Sequence, residues 1–172
     1  FMTSTRVLRV GQIIDLEKLT DAWLGIGYEE VSVVEAAGQF SRRGGIIDIF
    51  PIATSYPVRI ELFGDEIETM RTFDPATQRS IDVNGSNKTD TIIVPPTREA
   101  LPAVAKEFAL TLPEELDPQT EEGSLPSWRD DIPDLRAGRA FPNLEYYLPL
   151  LYPQPASLLD YLPENALVVV DE

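Results

Sequence analysis

Three aliphatic side chains, at Val58, Ile60 and Leu62, alternate with Arg59, Glu61 and Phe63, and this period-two pattern constrains the fold more than any other feature. Successive side chains of a β-strand point to opposite faces, so the pattern predicts a strand with one buried face. The next two residues, Gly64 and Asp65, are typical of a tight turn between two strands. Residues 66–73 then form the predicted return strand. The chain is therefore expected to fold around an antiparallel hairpin.

A two-residue turn fixes which residues of the hairpin face each other. It predicts four cross-strand pairs: Phe63 with Glu66, Leu62 with Ile67, Glu61 with Glu68, and Arg59 with Met70. Leu62 and Ile67 then meet on the core face, while Arg59, Glu61 and Phe63 share the other face. That second face is either a solvated surface whose aromatic ring is covered by the rest of the chain, or a partner site. Aromatic residues and arginines are the side chains that most often carry interface energy.

Two further arginines precede a glycine pair. Arg42 and Arg43 lead into Gly44-Gly45 and then into the apolar run Ile46–Phe50. Such glycines allow a β-bulge or a close approach of another backbone, so simple parity does not decide which face Arg43 occupies. Two arginines at the start of a strand are ordinary surface charge unless they join the arginine and the aromatic ring of the neighbouring strand.

Composition excludes several classes of site. The 172 residues include no cysteine and no histidine. Disulfide frameworks, thiolate or histidine metal sites and serine-histidine-aspartate catalysis are therefore excluded. No stretch of about 18 apolar residues is present, and the N-terminal residues lack a signal-peptide pattern. We expect a cytoplasmic protein with no membrane partner and no cofactor.

The charge is negative and unevenly distributed. The net charge is −15 at pH 7. Residues 1–80 carry eight basic and twelve acidic side chains, and residues 81–172 carry six and seventeen. A nucleic-acid-binding domain normally shows a basic patch, so the second half is not expected to bind DNA. The nearly balanced first half is compatible with a protein partner.

The first half is predicted to form an α+β domain over residues 1–83, in which one helix packs on a small antiparallel sheet. Leu16, Leu19, Trp23 and Leu24 recur at helical spacing and predict the buried face of that helix. The predicted elements are a strand at Val7–Val10, a helix at Asp15–Leu24, and strands at Tyr28–Val34, Phe40–Pro51 and Val58–Asp74.

Residues 84–96 are predicted to be a polar linker that ends in a strand at Thr91–Val94. Residues 97–172 are proline-rich, which favours short helices and turns. The predicted elements are a helix at Pro102–Leu112, a loop at Leu116–Ser124, a helix at Trp128–Arg139 interrupted at Pro133, a helix at Leu144–Tyr152, a helix at Ser157–Leu162 capped by Ser157, and a strand at Ala166–Val170.

The last predicted strand is apolar throughout, as buried parallel strands are, and such a strand needs neighbours on both sides. The chain ends two residues later, so we expect it to be part of a longer protein. Asp171 and Glu172 follow the strand as a Mg²⁺-binding pair would, but the phosphate-binding pattern GxxxxGK[ST] is absent. Nucleotide binding by this chain is therefore not expected. Exposed apolar groups in 144–172 make self-association of the chain plausible.

Four segments resemble the bacterial transcription-repair coupling factors: GQFSRRGGIIDIFP, PVRIELFGDEIETMRTFDPATQRS, LEYYLPLLY and SLLDYLPENALVVVDE. The excision-repair helicase UvrB carries a related module. Its version typically has a VRGD-type sequence where this chain has RRGG, and it lacks the YLP segments. These differences favour the coupling factors.

The resemblance implies that the first half is a UvrB-homology module that docks on UvrA, the damage-recognition ATPase. It implies that 97–172 is a partial, degenerate RecA-like α/β segment without a nucleotide site. The parent would be an ATP-dependent DNA translocase that recruits excision repair to stalled RNA polymerase, and domains absent from this chain would contact the polymerase and DNA. The implied UvrA-binding residues are Arg43, Arg59 and Phe63, with Phe63 in an apolar pocket and the arginines on carboxylates. No catalytic residue is implied.

Two alternatives remain open at this point. The chain is a fragment of a UvrB-like DNA repair helicase, or it is a scaffold segment whose outer sheet face is masked inside its own parent. A helicase fragment predicts a phosphate-binding loop within or upstream of the chain. The scaffold alternative differs from the docking module in that the isolated chain would not bind UvrA.

Overall fold

The computed structural model describes residues 4–83, 85–112, 128–152, 158–163 and 165–167. The strands are β1 (Arg6–Arg9), β2 (Glu29–Glu30), β3 (Gln39–Arg43), β4 (Ile46–Ile49), β5 (Val58–Phe63), β6 (Glu66–Thr72) and β7 (Thr91–Val94). The helices are α1 (Leu16–Gly25), α2 (Pro102–Ala109), α3 (Trp128–Ala137) and α4 (Leu148–Leu151), with 3₁₀ turns at Leu144–Tyr147 and Leu158–Tyr161.

The fold is α+β, as predicted. β2 to β6 form a five-stranded sheet in sequence order, and β1 pairs with β7 in a separate two-stranded sheet. All pairs are antiparallel except β2–β3, which is parallel. The strand predicted at Tyr28–Val34 is wrong in length, because only Glu29–Glu30 belongs to the sheet. The backbone turns away soon afterwards, and the Gln39 side-chain oxygen accepts the N–H groups of Glu35 and Ala36 at 3.0 and 2.9 Å.

One face of the five-stranded sheet is covered by α1. The Asp15 carboxylate accepts the Lys18 backbone N–H at 3.1 Å and so caps the first turn of the helix. Trp23 is fully buried, with its ring edge against Phe40 at 5.4 Å between centroids. The predicted place of Leu24 on the buried face is wrong, since it is 39% exposed and lies at the edge of the helical stripe.

β7 belongs to the same packed unit as α1 and the sheet. It pairs residue by residue with β1, so that Leu8 faces Ile92. Leu8, Ile92 and Val94 are all part of the apolar cluster that contains Trp23. The predicted division of the chain at residues 83 and 96 stays a prediction, but the first core includes the strand that the sequence pattern places in the linker.

A second apolar cluster holds the helices that follow. Ala105 and Ala109 of α2 pack with Leu135 of α3 and with Leu144. The predicted interruption at Pro133 is wrong, because α3 continues through it to Ala137. Proline removes one backbone donor from a helix, while burial of the neighbouring apolar side chains of α3 opposes that loss. The strand predicted at Ala166–Val170 is wrong for its first two residues, because the Ala166 N–H donates to the Pro163 carbonyl at 2.9 Å in a turn and Leu167 is 88% exposed. The predicted Leu116–Ser124 loop, the Ser157 cap and residues 168–170 lie outside the described residues.

The two clusters are joined through the segment after β7. The Thr97 N–H donates to the Ile26 carbonyl at 3.0 Å. Arg98 donates through Nε and Nη2 to the Glu145 carboxylate at 2.8 and 2.7 Å. This guanidinium lowers the pKa of Glu145. The end of α1 is thereby held against the second cluster by short polar contacts.

Gly27 lies at this junction and has no room for a side chain. Its φ is +95°, and an added Cβ would lie 2.4 Å from Thr97 Oγ1 and 2.9 Å from Arg98 Cγ and Cδ. We expect Gly27→Ala to lower the free energy of unfolding by about 2 kcal/mol or more, through backbone strain and steric overlap. Urea denaturation of the two proteins measures the difference.

Gly44→Ala is the matched control, because Gly44 also has positive φ (+61°) but an added Cβ would meet nothing within 4 Å. It isolates the backbone term, which is about 1 kcal/mol. Equal losses in the two variants would show that the contact of Gly27 with Thr97 and Arg98 is unimportant.

Tyr28 is predicted to make stability depend on alkaline pH. It is buried, and its hydroxyl donates to the Pro95 carbonyl at 3.1 Å. Burial raises the pKa of Tyr28 from 10.0 to about 12. Because the folded pKa is the higher one, the stabilisation is complete below pH 10 and is lost as the pH rises to 12. Denaturation between these pH values should show a loss to which Tyr28 contributes about 2 kcal/mol, and Tyr28→Phe should show a loss smaller by that amount, since burial also raises the pKa of Tyr147.

Candidate docking surface on the outer face of the sheet

The strand register places the candidate side chains on one face. Arg43 pairs with Ile46, Asp48 pairs with Arg59, and Ile46 pairs with Glu61. Directly paired residues of antiparallel strands project to the same side of a sheet. Arg43 and Arg59 therefore lie on the side opposite α1, which we call the outer face. Gly44-Gly45 forms a two-residue turn between β3 and β4 and not a bulge, and this turn decides the face of Arg43.

Asp48 lies between the two arginines and binds both. Its side chain is 1% exposed. Its carboxylate accepts Arg59 Nε at 2.7 Å and Arg59 Nη2 at 2.8 Å. Arg43 Nη2 donates to the same carboxylate at 3.0 Å. The three central strands of the sheet thus share one ionic cluster, made of Arg43, Asp48 and Arg59, with the buried carboxylate of Asp48 at its centre.

The sequence pattern does not predict Asp48 as part of the site, yet a signal for it is present. Asp48 is an acidic residue inside the apolar run Ile46–Phe50. A buried charge is costly unless it is paired. An acidic side chain in a strand whose two neighbours both carry arginines is therefore a recognisable sign of a cross-strand ion cluster. Finding it from sequence needs the register of both neighbours.

Arg59 is held from two sides. Its guanidinium carbon lies 4.8 Å from the centroid of the buried Phe73 ring, within the range of a cation–π contact. The hydrogen bonds that Arg59 donates to the Asp48 carboxylate raise the pKa of Arg59. Its side chain is 26% exposed. The Nε and Nη2 groups of this guanidinium already bind the Asp48 carboxylate.

Arg43 is the more accessible of the two arginines. It makes a single hydrogen bond to Asp48, and 54% of its side chain is exposed. A guanidinium has five N–H donors in a planar fork. Arg43 therefore retains donors for a carboxylate on another molecule, whereas two donors of Arg59 are bound to Asp48.

A β-bulge changes the predicted pairing of the hairpin. Phe63 pairs with Glu66 and Leu62 with Ile67, as predicted, but Glu61 faces Thr69 and Arg59 faces Arg71. The predicted pairs of Glu61 with Glu68 and of Arg59 with Met70 are wrong. Glu68 is the extra residue of β6. It allows both Ile67 and Met70, three residues apart, to reach the core.

The bulge also removes the like-charge pair expected on the outer face. The Glu61 carboxylate accepts Thr69 Oγ1 at 2.7 Å and lies 3.2 Å from Arg71 Nη2. Like charges directly opposite each other would be destabilising. Glu61 is therefore an internal partner of β6 and keeps the middle of the outer face ordered.

Phe63 lies at the end of β5, beside the turn, and is 78% exposed. The alternative in which the rest of the chain covers this ring is wrong for the described residues. Phe73, by contrast, is 1% exposed, and the Arg59 guanidinium lies over its ring. The outer face is therefore closed near Phe73 and open at the hairpin end.

The closed part is covered by residues 73–80. The Asp74 carboxylate accepts the N–H groups of Ala76 and Thr77 at 2.8 and 2.9 Å, and the Thr77 N–H lowers the pKa of Asp74. Gln78 has φ +59° and donates from Nε2 to the Val34 carbonyl at 3.1 Å. This turn follows Phe73 directly and is tied to the Val34 carbonyl.

The described residues offer little for other kinds of chemistry. Among them, no group of three or more acidic, histidine or cysteine side chains is placed to hold a metal ion. No helix in the same part of the chain is long and apolar enough to cross a membrane. The outer face combines an exposed aromatic ring with an accessible arginine and is therefore a candidate docking surface.

Comparison with known proteins identifies related sequences. The model of a family described as the UvrB interaction domain matches residues 7–99. The transcription-repair-coupling factor of Bacillus subtilis (strain 168) is 35% identical over 99% of this chain and 15% of that protein. Those of Staphylococcus epidermidis (strain ATCC 12228) and Staphylococcus aureus (strain MRSA252) are 36% and 34% identical, each over 96% of this chain. The chain spans about 15% of the length of these curated relatives. The resemblance found in the sequence is confirmed.

Asp48→Asn tests whether the ion cluster stabilises the sheet. The amide keeps the shape of the carboxylate but loses its charge and one acceptor. We expect the free energy of unfolding to fall by about 2 kcal/mol, less than for a fully buried pair because Arg43 is half exposed. Urea denaturation at pH 7 checks the value. Arg43→Gln is the control and should change stability by less than about 1 kcal/mol; a similar loss in both variants would contradict the central role of Asp48.

Proposed function

We propose, from the premise that this chain belongs to the family of UvrB interaction domains, that its outer face binds UvrA. The observation that carries the proposal is an aromatic ring, Phe63, that is 78% exposed on the same sheet face as Arg43 and Arg59. The matched region, residues 7–99, includes every strand of that face. We assign no catalytic step to this segment.

The two kinds of side chain have different roles in the proposed contact. Phe63 enters an apolar pocket on UvrA, where removal of the ring from water supplies most of the affinity. Arg43 pairs with a carboxylate of UvrA through donors that Asp48 does not use. Arg59, whose two-pronged edge faces Asp48, positions the cluster instead of binding a partner carboxylate bidentately.

Preorganisation favours this arrangement. Arg59 is already held by Asp48 and by the Phe73 ring, and it is three-quarters buried before any partner arrives. Ordering a long side chain on binding costs about 0.5–1.5 kcal/mol. Of the two arginines, Arg43 therefore bears more of that cost.

The wider role is inferred from the relatives. The proteins that match nearly the whole chain are named transcription-repair-coupling factors. We therefore infer that this segment recruits UvrA within such a factor, and that RNA polymerase and DNA are bound by other parts of the parent. The RecA-like character of 97–172 and the cytoplasmic location stay predictions.

Titration calorimetry of the chain with purified UvrA tests the proposal. We expect Phe63→Ala to weaken binding by about 2 kcal/mol, close to thirty-fold, and Arg43→Ala to weaken it by about 1 kcal/mol, more at low salt than at high salt. Tyr146→Ala is the matched control, because Tyr146 is an aromatic residue of similar exposure, 82%, on the second cluster. Its affinity should equal that of the original chain.

Unchanged affinity in Phe63→Ala and Arg43→Ala, with both variants folded, would overturn the assignment of the site. Absence of binding by the original folded chain would favour the scaffold alternative, in which the outer face packs within the parent protein.

A further inference from the structure

A second large exposed apolar side chain lies in the same cross-strand row as Phe63, on the far side of Glu66, and it comes from a distant part of the sequence. Residues 11–14 run along the open edge of β6. The Ile67 N–H donates to the Gln12 carbonyl at 2.9 Å, and the Ile14 N–H donates to the Asp65 carbonyl at 2.8 Å. These bonds flank an antiparallel bridge between Ile13 and Glu66.

The bridge places Ile13 on the outer face. In this arrangement the two paired residues exchange no hydrogen bond, and their side chains approach most closely and point to the same side. Glu66 pairs in turn with Phe63 across the hairpin. Ile13, Glu66 and Phe63 therefore form one row across three segments, which we call the tip row.

The tip row is unusual in its exposure. Ile13 is 76% exposed and Phe63 is 78% exposed, whereas Ile14 and Ile67 on the opposite side are buried. Ile46, paired with Glu61 in the adjacent row, is 40% exposed. Single exposed apolar residues are common on proteins, but several together typically mark a contact surface.

We infer that Ile13 is a second apolar anchor for UvrA and that the docking surface extends across the tip row. The inference rests on the proposed function. An anchor such as Phe63 gains its energy only when neighbouring contacts exclude water from around it. On one side its nearest neighbours in the row are Glu66 and Ile13. A partner surface that excludes water from Phe63 on this side extends along the row over Glu66 toward Ile13.

The row also specifies the chemistry of the partner surface. Two apolar side chains flank the exposed carboxylate of Glu66. The complementary surface of UvrA is therefore an apolar patch that is interrupted by a cationic or amide donor opposite Glu66. A purely acidic or purely apolar surface would leave that carboxylate unpaired on burial, which costs free energy.

Ile13→Ser tests the inference by titration calorimetry of the chain with purified UvrA. The side chain is mostly exposed, so the variant should unfold at the same urea concentration as the original chain. We expect the dissociation constant to rise about ten-fold. Leu110→Ser is the matched control, because Leu110 is 75% exposed at the end of α2, outside the outer face. Its dissociation constant should stay within about two-fold of the original.

Phe63→Ala, measured alongside, distinguishes a failure of the second anchor from a failure of the proposed function. Loss of affinity in Phe63→Ala with unchanged affinity in Ile13→Ser would overturn the second anchor and leave the proposed function in place. Unchanged affinity in both variants would overturn both. An equal loss in Ile13→Ser and Leu110→Ser would also refute the anchor, because it would indicate a general effect of removing surface apolar groups.

Discussion

A carboxylate that is almost sealed from water determines how the three central strands fit together. The cost of burying this carboxylate, Asp48, is offset because β5 supplies Arg59 directly opposite it and β3 supplies Arg43 from the diagonal position. The register of both pairings is thereby tied to one residue, since a slip of one position would turn a guanidinium to the opposite face. The Phe73 ring closes the cluster on the side of Arg59. The register of β3 and β5 against β4 is thus linked to the pairing of one buried carboxylate.

The bulge at Glu68 reconciles two demands that a regular hairpin could not meet together. Ile67 and Met70 both reach the core, although their spacing of three residues would put one of them outside in an unbroken strand. The extra residue also moves Glu61 opposite Thr69 and within reach of Arg71. The bulge that lets both side chains reach the core therefore also orders the polar middle of the outer face. Between the bulge and the turn the hairpin keeps its regular register, with Phe63 opposite Glu66.

Sequence alone predicted what depends on neighbours along the chain and missed what depends on distant ones. The alternation in β5 and the glycine turn gave the hairpin and its two pairs nearest the turn. The three-residue spacing of Ile67 and Met70 is compatible with a bulge. It indicates one only when both side chains are known to be buried on the same face of β6. The face of Arg43 needed the turn at Gly44-Gly45. Ile13 could not be placed at all, because its neighbour Glu66 lies 53 positions later and the two meet only when residues 11–14 line the edge of β6.

The division of the sheet into a core face and an outer face explains why a surface of this kind is left on so small a unit. One helix, α1, is enough to cover the inner side, and no helix of the described residues covers the other. Residues 73–80 close only the part of the outer face near Phe73. The uncovered remainder is the hairpin end, where the rigid ion cluster borders exposed apolar side chains. A surface that is already ordered loses little conformational entropy when a partner covers it. The ion cluster thus has two effects: it holds the three central strands together, and it orders Arg59 before a partner binds at the hairpin end.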